Sequence, residues 1–207
     1  DHKEFKAGAV GTRGMIDRKH GRRIGDELLK WGVIPLQADV ERITKCPIVL
    51  ENDAKLAALS EAMLLKDKYS RVLYLTVSTG IGFGLVVDGK IDTNINDGGG
   101  QSLLLEHKGK RMAWEDFVGG KAIVERFGKK AVDITDQATW KIIARDLAQG
   151  IAQLIAIVQP EVIVIGGSVG VYFDRYAKLL EAEIEKHKVP LVVHPDLKEA
   201  QRPNDAV

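Results

Sequence analysis

The stretch Val49-Leu50-Glu51-Asn52-Asp53 sets two carboxylates and an amide where an apolar run hands over to an alanine-rich segment. Two kinds of chemistry fit that spacing. Asn and Asp accept hydrogen bonds from the free N–H groups of a helix's first turn, and anionic groups there suit the helix dipole. A carboxylate at the carboxyl end of a strand also faces the crevice where α/β proteins bind ligands, placed to take a proton from a substrate. Spacing alone leaves both readings open.

A second stretch, Ser78-Thr79-Gly80 followed by Gly82 and Gly84, lies between two apolar runs. Hydroxyls and N–H groups with no Cβ in the way let a phosphate approach the backbone. A tight hairpin with a glycine bulge is the plain alternative. The run leads from strand to strand, so it is not a dinucleotide fingerprint, which opens a helix. No Gly-Lys-Ser/Thr follows, so it is not a Walker A loop either. A third stretch ends an apolar run at Gly166-Gly167 ahead of a helix, where a flat ligand can lie against the backbone.

The elements that position these residues follow from periodicity. Residues 5–16 read as a strand, a Gly-rich turn and a second extended piece, and 17–36 as a loop entering a docking segment at Trp31 to Leu36. Val40 and Ile43 mark a short helix ended by Pro47, and the run from Pro47 to Leu50 a buried strand. From Asp53 to about Lys66, one stripe is Leu56, Leu59, Met63 and Leu64, another Ala54, Ala57, Ala58 and Ala62; that predicts a helix buried on two sides. Three extended pieces follow between Arg71 and Ile95, with a hairpin turn at Asp88-Gly89-Lys90. One or two strands precede a helix starting near Trp114, and residues 136–158 form the longest helix, stopped by Pro160. A buried strand to Gly166, a helix over about 171–187 and a strand over 190–195 complete the pattern. The order predicts an α/β chain with a mixed sheet in each of two lobes, residues 1–66 and 67–207, divided near 66–71.

Composition bounds the function. With 45% hydrophobic residues, 29% charged and a formal net charge of +1 in 207 residues, the chain suits one large domain or two lobes. It offers no basic field for nucleic acid or an anionic membrane. The single cysteine, Cys46, excludes an internal disulfide framework and any multi-cysteine zinc site. No apolar run approaches the roughly 20 residues of a membrane span and no signal peptide is visible, so a reducing, cytoplasmic setting is expected.

Taken in order, these stretches resemble the ROK family (repressor, open reading frame, kinase) over nearly the whole chain. "VLENDAKLAALSEA" resembles the pattern V-E-N-D-A-N-A-A-A-L-x-E, and "YLTVSTGIGFGLVVDGKI" resembles L-x-x-G-T-G-I-G-x-G-I-I-x-x-G-x-L. "QPEVIVIGGSVG" resembles N-P-E-x-I-V-I-G-G-G-V, and "WGVIPL" resembles W-x-N-x-P-L. The resemblance implies an actin-like ATPase (ribonuclease H-like) fold of two α/β lobes, with sugar and ATP meeting in the cleft. It implies a glucokinase-like sugar kinase using ATP and Mg²⁺. Asp53 matches the general base and Asn52 and Glu115 the sugar-binding residues; Thr79, Gly80 and Gly82 match a phosphate loop, Gly166 and Gly167 an adenosine-contacting motif. Sugar and nucleotide are the implied partners, with no membrane, no nucleic acid for this segment, and a homodimer compatible with the chain.

Two departures qualify the resemblance. Where most members carry G-E-x-G-H and a Cys-rich zinc motif, this chain has "DGGGQSLLLEHKGKRMAWE". Gly98 falls at the sugar-binding glutamate and Gln101 at the histidine, and no cysteine is present, which predicts no structural zinc. Nothing before Phe5 resembles the D-x-G-G-T-x phosphate loop, and "RPNDAV" resembles the approach to a final helix. The first lobe is therefore expected to be incomplete and the chain by itself inactive. The alternatives are a sugar-sensing transcriptional repressor that does not phosphorylate its ligand, or a degenerate paralogue.

Overall fold

The structure, a computed structural model, describes residues 5–25 and 31–202. The residues before Phe5, where no D-x-G-G-T match is found, lie outside the described residues. So do residues 26–30 of the expected loop and the closing residues 203–207.

In chain order the elements are β1 (Gly8–Thr12), β2 (Met15–Asp17), β3 (Arg22–Ile24), α1 (Leu36–Thr44), β4 (Ile48–Asn52) and α2 (Asp53–Leu65). Then come β5 (Arg71–Val77), β6 (Ile81–Val87), β7 (Lys90–Ile91), β8 (Leu104–His107), β9 (Lys110–Ala113), α3 (Glu115–Val118) and α4 (Gly120–Phe127). The chain continues through α5 (Gln137–Val158), β10 (Val162–Gly166), α6 (Gly167–Gly170), α7 (Phe173–Glu185) and β11 (Asp196–Glu199).

The main sheet has the order β11-β10-β5-β6-β7, parallel across its first three strands and antiparallel beyond. Alternation along the strands splits its side chains between two faces. Leu73, Leu75 and Val77 of β5 with Ile163 and Ile165 of β10 meet α5 and α7, including Trp140, Ile151, Tyr176 and Leu180. Val72, Tyr74, Val162 and Val164 face the other way, onto Ala57, Ala58 and Ala62 of α2. The result is three layers, helix–sheet–helix, around a predominantly apolar centre. The β6–β7 turn bends through Asp88 and Gly89, with φ of 50° and 73°, the paired left-handed residues of a tight hairpin.

A separate two-stranded sheet pairs β1 in parallel with β4, aligning Thr12 with Asn52. The turn after β1 therefore leaves beside Asn52 and Asp53. Between them the two sheets fix where the acid cluster sits.

Several expectations change. α2 buries only its alanine face, because Gly84 of β6 brings the strand so close that a Cβ there would lie 2.8 Å from Ala58 Cβ. Met63 and Leu64 stay 47% and 42% exposed while Leu56 and Leu59 are half-buried, so the leucine stripe is covered only in part. α2 packs on β5 and β6, so it goes with the main sheet. The segment read as a loop contains β3, which pairs antiparallel with β2, the expected second extended piece. Residues 190–195 form no strand: Leu191 and Val193 are 94% and 78% exposed, and Pro190 and Pro195 lack the N–H a ladder needs. The edge strand is β11 instead, tied down where Glu61 of α2 accepts the N–H groups of Gln201 and Arg202 at 3.0 and 2.9 Å. The third extended piece shrinks to the two residues of β7.

Candidate active site

A cleft of about 940 Å³ opens where β4, the β5–β6 turn, the glycine run 97–102 and the start of α6 converge. The acid cluster lies on its wall. Asn52 makes the helix cap: its Oδ1 accepts the Lys55 N–H at 3.3 Å, and its Nδ2 donates to Gly14 O at 3.3 Å. Asp53 is thus the first residue inside α2, with Oδ1 accepting the Ala54 N–H at 2.9 Å and the half-buried carboxylate facing the cleft. The cap and the cleft-facing carboxylate are thus two separate neighbours. Asn52 also lines the cleft and keeps one amide N–H beyond its bond to Gly14.

The turn Ser78-Thr79-Gly80 is held from behind. Gly120 N–H donates to Ser78 O at 2.6 Å and Lys121 N–H to Thr79 O at 3.0 Å, while Ser78 N–H closes on Gly80 O at 2.9 Å. Opposite it, Gly167 adopts φ +85°, and a Cβ there would fall 2.6 Å from Val77 O, so only glycine fits. The two glycine loops meet through Ser78 Oγ and Ser168 Oγ, 3.3 Å apart.

Glu115, at the start of α3, accepts the Ile81 N–H through Oε2 at 3.0 Å. Gly80 permits this, since a Cβ there would run into the carboxylate. The cleft therefore sets the Asp53 and Glu115 carboxylates, each with defined neighbours, beside a row of hydroxyls and side-chain-free backbone.

Of the residues predicted from sequence, Asn52, Asp53, Thr79, Gly80, Gly82, Glu115 and Gly167 line this one cleft. Gly166 does not. It lies behind the wall, where a Cβ would meet Tyr74 Oη at 2.5 Å and Ala200 Cβ at 3.0 Å, so its smallness serves packing. Sequence reasoning missed Arg13, Thr76, Asp97, Ser102 and Ser168 as lining residues. Ser168 was reachable as the first hydroxyl after a double glycine; Ser102 and Asp97 had no local signal. Gly98 and Gln101, the departures in the family pattern, also line the cleft.

Beneath the wall is a cluster of four charges. Asp97 Oδ1 accepts from Lys55 Nζ at 2.9 Å and from Arg18 Nη2 at 2.8 Å, and Oδ2 takes the Ile16 N–H at 3.1 Å. Arg18 also grips Glu51 through Nε at 2.9 Å and through Nη2. Burial pushes the Asp97 carboxyl up, but hydrogen bonds from Arg18, Lys55 and Ile16 outweigh it and hold the group below the usual carboxylate range. Hydrogen bonding to Glu51, with smaller support from Asp97, raises the Arg18 guanidinium further.

Comparison with known proteins follows the same lines. The ROK family model matches residues 1–206. A Bacillus subtilis (strain 168) relative, provisionally assigned as a fructokinase, is 30% identical over 182 residues, 80% of this chain and 61% of that protein. An N-acetylmannosamine kinase of Vibrio cholerae (strain O395) is 28% identical over 209 residues, 88% of this chain and 72% of that protein. The chain thus spans less than two thirds of the Bacillus protein. Among solved structures, a ROK family glucokinase from Streptomyces griseus, in complex with glucose and AMPPNP, aligns with a TM-score of 0.81 at 18% identity. That alignment covers 99% of this chain and 80% of the other, and establishes a shared fold, the two-lobed actin-like ATPase architecture.

Proposed function

Because this chain belongs to the ROK family of sugar kinases and sugar-responsive repressors, we propose that its protein transfers the terminal phosphoryl group of ATP to a hydroxyl of a glucose-like hexose. The observation that carries the reading is the division of labour at the head of α2. Asn52 caps the helix, which leaves the Asp53 carboxylate to the cleft, within one wall of both glycine loops. A repressor that only senses sugar needs no such base.

In this reading Asp53 receives the proton of the attacking hydroxyl, and the N-terminus of α2 favours the charge it carries as it does so. Asn52 and Glu115 orient the sugar: a carboxylate accepts from hydroxyls, and the remaining amide N–H donates to one. Thr79 and Gly80 of the β5–β6 turn and Gly82 of β6 face the phosphates, and Gly167 with Ser168 lets the nucleotide lie against backbone at the end of β10. Gly166 supports that loop from behind. Among the described residues no group of three or more His, Cys, Asp or Glu side chains is arranged to hold a metal unaided. Mg²⁺ is commonly bound through one or two carboxylates plus substrate phosphates. Mg²⁺ brought in on the nucleotide would neutralise charge on the transferring phosphoryl oxygens. The protein's share of the work is positioning.

The test is a coupled ADP-release assay on the intact protein with glucose, N-acetylmannosamine and fructose, ATP and Mg²⁺. Turnover of at least one sugar, lost in Asp53→Asn, supports the reading. Sugar binding by calorimetry without turnover would assign the protein to the sensing class instead.

A further inference from the structure

The cleft that Asp53 lines is also walled by Gly98 and Gly99, with Gln101 and Ser102 beyond and Gly100 buried behind them. Three successive glycines have no side chains with which to hold their own shape, and Gly99 adopts φ +53°. Gly99 and Gly100 rest against Ile81 of β6, a contact that does not reach the segment carrying Asp53. Immediately before the wall comes Asp97, whose carboxylate is 6% exposed and is bonded from three directions. Lys55 reaches it from α2, Arg18 from the β2–β3 turn, and the Ile16 N–H from β2. Lys55 is completely buried and also donates to Ile95 O at 2.5 Å, so it grips the run on both sides of Asn96.

The partners are as telling as the bonds. Lys55 lies two residues after Asp53, and its own N–H is the one that Asn52 caps. Arg18 joins Asp97 to Glu51, which precedes Asn52 and takes the Asn52 N–H at 2.7 Å. Every cation in the cluster thus connects the glycine wall to the segment that carries the base. Charges buried this deeply add little net stability, since desolvation offsets the attraction and apolar replacements often fold as well. What they provide is direction. Lys55 also stands at the second Asn of the pattern V-E-N-D-A-N quoted above, so the brace is written in a departure from it.

We infer that Arg18, Lys55 and Asp97 are positioning residues that fix the Asp97–Ser102 wall relative to Asp53, so that a hydroxyl bound against the wall meets the base. The inference rests on the sugar-kinase reading and refines the sugar half of the site. None of the three touches the reacting atoms. Displacing a substrate by about 1 Å through a remote change costs on the order of 10²-fold in efficiency.

The experiment uses the intact protein with Asp97→Asn, Lys55→Met and the double variant. It measures kcat, both KM values, sugar binding by calorimetry, and thermal unfolding. Glucose and N-acetylmannosamine are the probes. Each single variant should raise the sugar KM or binding constant about tenfold or more and lower kcat/KM by about 10²-fold. The nucleotide KM should stay within about twofold. In the double variant, charge balance returns and thermal stability should recover, whereas sugar affinity should not. Recovery of both together would show a merely structural pair and overturn the inference, as would single variants with unchanged sugar affinity. If a single variant fails to fold, Arg18→Lys, at the partly exposed end of the cluster, should still weaken sugar binding and leave nucleotide binding alone. An unaltered protein that binds sugar without turnover would refute the kinase reading, and its binding constants would then decide the wall. Binding of neither sugar overturns both.

Discussion

Replacing Asp53 by Asn separates the two roles that the head of α2 combines. The cap survives, because Asn52 Oδ1 makes it, and an Asn at 53 can still accept the Ala54 N–H through its amide oxygen. What folding loses is the interaction of one charge with the first turn of a helix, about 0.3–1 kcal/mol. In a protein of this length that shifts the melting temperature by no more than about 2–4 °C. What the reaction loses is the group that receives the hydroxyl proton, worth about 10²–10⁴ in rate, or about 2.7–5.5 kcal/mol of barrier. The expected result is a fall in kcat of at least 10²-fold with both KM values within about threefold. A coupled ADP-release assay beside a thermal melt reads both quantities on one preparation. A kcat within threefold of the unaltered protein would refute the role, and a melting temperature lowered by 10 °C would refute the assignment of the cap to Asn52.

Further outcomes are expected elsewhere. Asn52→Ala removes the cap and should cost about 1 kcal/mol in urea unfolding. Gly84→Ala sets a Cβ 2.8 Å from Ala58 Cβ and 2.9 Å from Lys55 Cα; prying α2 from β6 should cost about 1–3 kcal/mol, read by the same unfolding. His107 stacks on Phe117 at 4.3 Å, and burial pushes its imidazole below the ordinary value. The neutral ring is favoured by folding, so its contribution is complete above about pH 6.5 and declines as pH falls through the lower folded value. His107→Phe should flatten the acid limb of a plot of melting temperature against pH. Elemental analysis of protein purified without added metal should find no stoichiometric zinc.

Much of this architecture is legible locally. The hairpin of β5 and β6, the long period of α5 and the strand ending in two glycines each announce themselves within about 25 residues, because the signal and the structure share one segment. That Asp53, Thr79, Gly80 and Gly167 line one cleft was legible for the same reason: all stand at strand ends. What escaped depends on partners far away. Lys55 reads as a surface lysine in "DAKLAAL" and becomes a buried cation only because Ile95 and Asp97, some 40 residues on, supply a carbonyl and a carboxylate. Gly166 reads as a ligand contact until Tyr74 and Ala200 are seen to occupy the space beside it. The false strand at 190–195 shows the reverse error, since an apolar alternation forms no ladder without a neighbour to pair with. The two-sided helix failed because Gly84 admits one face of α2 and nothing among the described residues covers Met63 and Leu64.

The meeting of Ser78 with Ser168 also sets an order of assembly. The two serines are 90 residues apart in the chain. The β5–β6 hairpin that carries the first closes over a three-residue turn, a microsecond event. The second arrives only when β10 docks in parallel on β5, and closing a flexible loop of that length costs up to about 4 kcal/mol of chain entropy. The Ser78–Gly80 turn is thus expected to be built early and the opposing glycine loop late. During refolding, a fluorescent nucleotide analogue should bind only after the far-ultraviolet signal of the sheet and helices has largely returned. Equal rates for the two signals would show that β10 is in place from the start.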